Sequence, residues 1–169
     1  MKYFRLLYRL GHQQRYLIWI SNERDGVVVD GAGLVPIFKD AEAVQTYADQ
    51  SGYNLESEQP VLHNLDWVAG WVDEPGRSIN CSEALAAWNL FSDVARSVRG
   101  RGSVFRRLDS WFPAVYNKLF WGSNLPSLTP TDCHYDPEWS VEESRGLAQV
   151  LDTGLEMFRS SIESFQQKR

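Results

Sequence analysis

Apolar and polar positions alternate at the start of the chain. Over residues 3–10, Phe4, Leu6, Tyr8 and Leu10 fall on one side, and Arg5, Leu7 and Arg9 on the other. A period of two predicts a strand. Gly11-His12-Gln13-Gln14 is a polar turn, and the aromatic and β-branched run 16–20 predicts a second strand. Asn22-Glu23-Arg24-Asp25-Gly26 carries an Asp-Gly hairpin signal ahead of a third strand at 27–29. Asp30-Gly31-Ala32-Gly33 turns the chain again. Residues 34–38 form a short strand that Pro36 confines to an edge. The N-terminal part therefore reads as an antiparallel meander.

The period then changes to that of a helix. Asp40 caps a helix over 41–51, with Val44, Tyr47 and Ala48 on one face and Gly52 as its stop. Residues 53–56 are expected to return as a strand. Leu65, Val68, Trp71 and Val72 keep helical spacing up to Pro75-Gly76. The longest marked helices are 81–99 and the one opened by Ser140. In the first, Asn80 and Glu83 suit a capping box, and Leu85, Trp88, Phe91, Ala95 and Val98 make the buried stripe. The second opens on a Ser140-Val141-Glu142-Glu143 box and carries Leu147, Val150, Leu151, Leu155, Phe158, Ile162 and Phe165 on one side. Gly146 and Gly154 weaken this helix by about 1 kcal/mol each against alanine unless a neighbour packs close to them. Residues 104–112 predict a further helix, and Pro113 suits the first turn of another. Residues 116–140 hold three prolines and five aromatics, which predicts an ordered loop pinned by its own aromatic side chains.

These elements predict an α+β fold in one domain spanning 1–169, with a β-rich part at 1–60 and a mostly helical part at 61–169. A chain of 169 residues buries about 70% of its unfolded surface without needing disulfides. Cys81 and Cys133 are too few for a disulfide scaffold, no signal peptide or membrane span is readable, and the expected location is the cytoplasm. The net charge of −5 is unevenly placed. Residues 40–84 carry nine acidic groups against Arg77 alone, whereas 85–125 carry six basic groups against two acidic ones. An acidic face repels nucleic acid and speeds encounter with basic proteins.

Candidate chemistry is thin. Asp30-Gly31-Ala32-Gly33 lacks the third glycine of a phosphate loop, and Pro36 forbids the helix that should follow. Asp132-Cys133-His134-Tyr135-Asp136 gathers metal-ligand types, but adjacent residues rarely converge on one ion, so no metal is expected there. Cys133 and His134 are too close in sequence for a nucleophile–base pair. His12 and His63 read as surface residues. Arg96, Arg99, Arg101, Arg106 and Arg107 form a basic cluster with only Phe105 as an aromatic, which suits a solvated helix end better than a single-strand platform. No set of acid, base and nucleophile assembles, so neither an enzyme nor a cofactor is expected. Trp67 and Trp71 share a face of a short acidic helix that also bears Asp66, Asp73 and Glu74. Such residues suit an interface with a protein partner.

A resemblance sharpens that reading. Trp88-Asn89-Leu90-Phe91-Ser92-Asp93-Val94, the run from Tyr116 to Gly122 with Asn124-Leu125-Pro126, Thr129-Pro130, and Tyr135, Pro137, Trp139 and Ser140 resemble immunity proteins of bacterial polymorphic-toxin systems, including contact-dependent growth inhibition. Leu65-Asp66 and the opening strands are similar too, so the resemblance covers nearly the whole chain. It implies a small cytoplasmic protein that binds a cognate toxin C-terminal domain, commonly a basic nuclease, and blocks it. It carries over no functional residue. The expected interface is Asp66, Trp67, Trp71, Asp73 and Glu74. The alternatives are a small enzyme with a pocket at the 116–140 loop, using Asp132, His134 or Asp136, and a nucleic-acid-binding module using the cluster from Arg96 to Arg107.

Overall fold

Strands β1 (Lys2–Leu10) and β2 (Gln13–Ser21) pair antiparallel along their full length, from Lys2 opposite Ser21 to Leu10 opposite Gln13. This register leaves Gly11 and His12 as a two-residue turn. Both adopt left-handed backbone, with φ of +62° and +60°. Such turns match the twist of the flanking strands, but only the glycine adopts that backbone without steric cost. β3 (Gly26–Val27) adds antiparallel to β2, so the meander holds for three strands. The computed structural model describes residues 1–164 of the chain.

The fourth strand departs from the expected meander. β4 (Val35–Ile37) leaves this sheet and pairs in parallel with β6 (Ile162–Ser164), Val35 opposite Ile162. Pro36 keeps its edge role there, in a two-stranded sheet with edges only. Residues 53–56 form no strand; Leu55 makes an isolated bridge to Tyr3. The strand that sequence reading missed is β5 (Leu62–Asn64), parallel to β1, which completes the order β3-β2-β1-β5.

The helices are α1 (Ala41–Ser51), α2 (Leu65–Asp73), α3 (Cys81–Ser97), α4 (Ser103–Asp109), α5 (Pro113–Gly122) and α6 (Val141–Ser161). The expected ends of α1 are present: the Asp40 carboxylate accepts from the Ala43 amide, and Gly52 is left-handed. α3 is buried nearly all round, with Leu90, Val94 and Ala84 as inaccessible as the expected stripe. It packs against the sheet on one side and against α4, α5 and α6 on others. Asn80 caps α3 through the Glu83 amide, but Glu83 does not close the box. Its carboxylate accepts instead from the Asn64 amide at 3.3 Å, joining the starts of α2 and α3. The Ser140–Glu143 box of α6 is closed in both directions. α6 stops at Ser161, so Ile162 belongs to β6, and Phe165 lies outside the described residues.

The fold is α+β, with the sheet at the N-terminal end and most helices in the C-terminal part. Alternation along β1 and β2 feeds two apolar layers. Leu6, Tyr8 and Leu17 face the main core with α2, α3 and α6; Ile18 and Ile20 face a smaller one with Phe38, Val44 and Ala48 of the α1 side. The two glycines of α6 have the close neighbours that excuse them. A Cβ on Gly146 would lie 2.5 Å from the Phe112 ring, and one on Gly154 would lie 2.2 Å from the Phe91 ring. Gly154→Ala is therefore expected to lower stability by about 1–3 kcal/mol despite alanine's higher helix propensity. Gly70→Ala in α2, where a Cβ meets nothing within 4 Å, is expected to raise it by up to about 1 kcal/mol. Urea unfolding of the two variants checks the opposite signs.

Candidate protein-binding surface

Helix α2 does not present its five expected interface residues as one surface. Trp71 is 2% exposed and donates its indole N–H to the Arg77 carbonyl at 3.1 Å. Trp67 stacks on it and is half-buried. Asp66 is committed inside the fold: its carboxylate accepts from the Gly11 amide at 2.7 Å and the His12 amide at 3.0 Å, with Arg9 Nε at 3.6 Å. It braces the β1–β2 turn. Only Asp73 and Glu74 are exposed, and Glu74 pairs with Arg77 at 2.5 Å. The period of 3.6 correctly places two tryptophans on one face, but that face is the core side.

The segment 116–140 also differs from expectation, because its first seven residues are helical and belong to α5. Pro113 starts α5 at its first turn, and the three later prolines all lie beyond its end. The loop proper is 123–140. Of its two aromatics, Trp139 packs against the main core as expected, whereas Tyr135 is exposed. Asn124, at a left-handed φ of +48°, donates to the Tyr135 carbonyl and accepts from the Tyr135 amide, both at 2.8 Å. Lys118 ties the flanking helices together, reaching Glu143 at 2.7 Å and 2.8 Å and the Glu138 carbonyl at 2.8 Å. That hydrogen bond is the first cause holding the Glu143 carboxyl below its ordinary range. Gly122 lets Pro137 approach: a Cβ there would lie 2.7 Å from both Pro137 Cγ and Cys81 Sγ.

The loop so held turns its apolar residues outward. Trp121 is 56% exposed and Leu128 53%, with Leu125 and Tyr135 also exposed. Trp121, Leu128 and Tyr135 line one shallow depression of about 410 Å³ with Asn117, Lys118 and Pro130. Asp132 and His134 are exposed and line neither this depression nor any other described, and Asp136 lies along a separate cleft with Arg77 and Arg145. The three residues of the enzyme alternative are therefore not brought together. Among the described residues, no group of three or more His, Cys, Asp or Glu is placed to hold a metal ion.

A second recess lies between the sheet and the helices. Phe4, Trp19 and His63 from the strands face Leu85, Ala86, Asn89 and Asp93 of α3 and Tyr116 and Phe120 of α5, around about 590 Å³. Sequence reading missed this site because its members are scattered across five elements. Asp93 is the one buried acid among the described residues, accepting from Trp19 Nε1 at 2.8 Å and pairing with Arg96. Burial pushes its carboxyl up, against those two partners. His63, read as a surface residue, is half-buried on β5 and stands as a correction. Burial holds its imidazole below the ordinary value, although Glu83 and Asp93 favour the charged form.

A pH dependence follows. The unfolded chain protonates His63 near pH 6.5, whereas the folded chain does so only at lower pH. Within that window the unfolded state holds more protons, so stability falls as pH falls. Asp93 acts in the opposite sense closer to the acid end, because its folded carboxyl takes a proton first and gains stability as pH drops. His63→Gln is expected to flatten the loss of unfolding free energy between about pH 7 and about pH 5.5 in urea titrations. An unchanged slope would assign the dependence to other groups.

The basic cluster is partly spent internally. Arg96 pairs with Asp93 and donates to the Asp25 carbonyl, and Arg101 donates to the Ser160 carbonyl at 3.1 Å. Phe105, its one aromatic, is fully buried and offers no stacking face. Among the described residues no helix is long and apolar enough to cross a membrane. Comparison with protein-family models, with curated proteins and with solved structures finds no match for this chain.

Proposed function

We propose that this protein is a bacterial immunity protein. It binds the C-terminal domain of a cognate toxin in the cytoplasm, most simply a basic nuclease domain, and blocks it by protein–protein contact with no bond-making of its own. The observation that carries this reading is the outward patch of Trp121, Leu125, Leu128 and Tyr135. Scattered exposed apolar residues are ordinary, but Trp121, Leu128 and Tyr135 gather around one depression, with Leu125 on the rim of the neighbouring recess, and such a group marks an interaction surface. The Asn124–Tyr135 bridge and the Lys118–Glu143 pair hold the loop in advance, which reduces the ordering cost of association. The sequence resemblance over 88–94 and 116–140 points the same way, and its second segment is the one that carries the patch. Asp73 and Glu74, exposed on the acidic stretch, would steer a basic partner.

The test is co-purification with the toxin domain encoded beside this chain, followed by affinity measurement. Trp121→Ala and Leu128→Ala are expected to weaken binding by about 2 kcal/mol each, roughly 30-fold, without changing the unfolding midpoint. Charge reversal at Asp73 and Glu74 is expected to slow association, most visibly at low salt. Absence of a complex with the wild-type chain, or turnover of a small substrate that one substitution abolishes, overturns the reading.

A further inference from the structure

The recess between sheet and helices continues into a second one. The apolar recess of about 590 Å³ and a polar one of about 670 Å³ share Trp19, Asn89, Asp93 and Tyr116, so they form one cleft. The hydrogen bond from the Tyr116 hydroxyl to Asn89 Oδ1, at 2.8 Å, is the sill between the halves. On one side of the sill the walls are mostly apolar, Phe4, Leu85, Ala86, Phe120 and Leu125, with Arg5, Glu58 and His63 at their edge; the Arg5 Nε is buried there without a hydrogen-bond partner among the described residues. On the other, Asp25, Asp93 and Asp109 stand against a single cation among the described residues, Arg96. Arg96 is already paired with Asp93. Asp109 uses Oδ1 on the Trp88 indole N–H, and Asp25 uses Oδ1 on the Asn22 amide. The second oxygen of each has no donor among the described residues. The polar half therefore has acceptor capacity and negative charge that the described residues do not satisfy.

We infer that this cleft receives one segment of the partner protein carrying an apolar side chain and, beyond the sill, a lysine or arginine. The inference rests on the protein-binding reading above and names the chemistry of the partner. The apolar half is large enough for a leucine- or phenylalanine-sized side chain, whose burial supplies affinity. The acidic half supplies register and selectivity, because an arginine or lysine there meets carboxylates with an acceptor oxygen to spare, whereas a phosphate or carboxylate meets net negative charge. The cleft is also continuous with the exposed patch. Phe120 of the cleft packs edge-on against Trp121 of the patch at 5.2 Å, and Leu125 belongs to both. A single partner domain seated on Trp121 would thus lie over the cleft mouth.

The experiment uses the full chain and the toxin domain encoded beside it. Ala86→Trp fills the apolar half from a half-exposed helix position. Asp25→Asn with Asp109→Asn removes the charge and keeps an acceptor oxygen for Asn22 and Trp88. Asp152→Asn with Glu156→Gln, both exposed on α6, makes the same change of net charge elsewhere. With all folded by unfolding midpoint, Ala86→Trp and the Asp25/Asp109 pair are each expected to weaken binding at least about tenfold, and the α6 pair to change it by less than about threefold. Hydrogen exchange in the wild-type complex is expected to slow at 89–93 and 113–117. If the complex forms but Ala86→Trp and the Asp25/Asp109 pair bind like the wild type, the cleft is not the seat and the protein-binding reading stands. Equal losses from both charge pairs reduce the acidic half to general steering and overturn the inference. No complex with the wild-type chain removes both.

Discussion

Replacing Trp88 by alanine is expected to lower the unfolding free energy by about 3–5 kcal/mol, the largest single loss in the chain. Trp88 is fully buried on α3, lies edge-on to Tyr116 at 5.4 Å and donates its indole N–H to Asp109 at 2.5 Å. The substitution removes apolar burial and leaves a cavity between α3, α4 and α5 that a helix fixed on all sides cannot close. Since a domain of this kind holds about 5–15 kcal/mol in total, the loss is a large share of it. Trp88→Phe separates the two contributions. It keeps most of the apolar area but loses the hydrogen bond to Asp109 and part of the ring volume, so it is expected to cost about 1–2 kcal/mol. Urea unfolding reads both as a lower midpoint at unchanged slope. A loss below about 2 kcal/mol for Trp88→Ala would mean that the surrounding helices collapse onto the gap.

Asp66→Ala is expected to cost about 2–3 kcal/mol, and to leave association with the partner unchanged wherever the variant is folded. The carboxylate is 20% exposed and holds the amides of Gly11 and His12 in place. His12 bears a left-handed backbone that a histidine does not favour, so the turn depends on an external brace. Hydrogen bonds to a charged group are stronger than neutral ones, but water replaces part of them at this exposed turn. Asp66→Asn, with one acceptor oxygen left, is expected to lose about half as much. A reduced association rate in folded Asp66→Ala would return this residue to the interface.

Local pattern set most of the elements. The caps at Asp40, Asn80 and Ser140, the stop at Gly52 and the start at Pro113 all lie where side-chain chemistry puts them. These signals act within one helical turn, so they are readable from neighbours alone. The misreadings share a different cause. β4 pairs with β6 from the far end of the described chain, and β5 has too few residues to show a period. Residues 116–122 read as loop because prolines several positions later coloured the whole window, although none interrupts α5.

The site divides the same way. Composition placed aromatics and acids near 60–84 and 116–140, and periodicity put Trp67 and Trp71 on one face. Neither decides which side of a helix meets the core. The cleft of Trp19, Asn89, Asp93 and Tyr116 is assembled from β2, α3 and α5, whose spacing in sequence carries no common period. Sequence alone determined where the chain turns, caps and alternates, because those preferences are set by each residue and its near neighbours. Tertiary structure alone decided which tryptophans are buried, which carboxylates are committed and which surface is left apolar, because burial is settled by elements that meet only after the chain has folded.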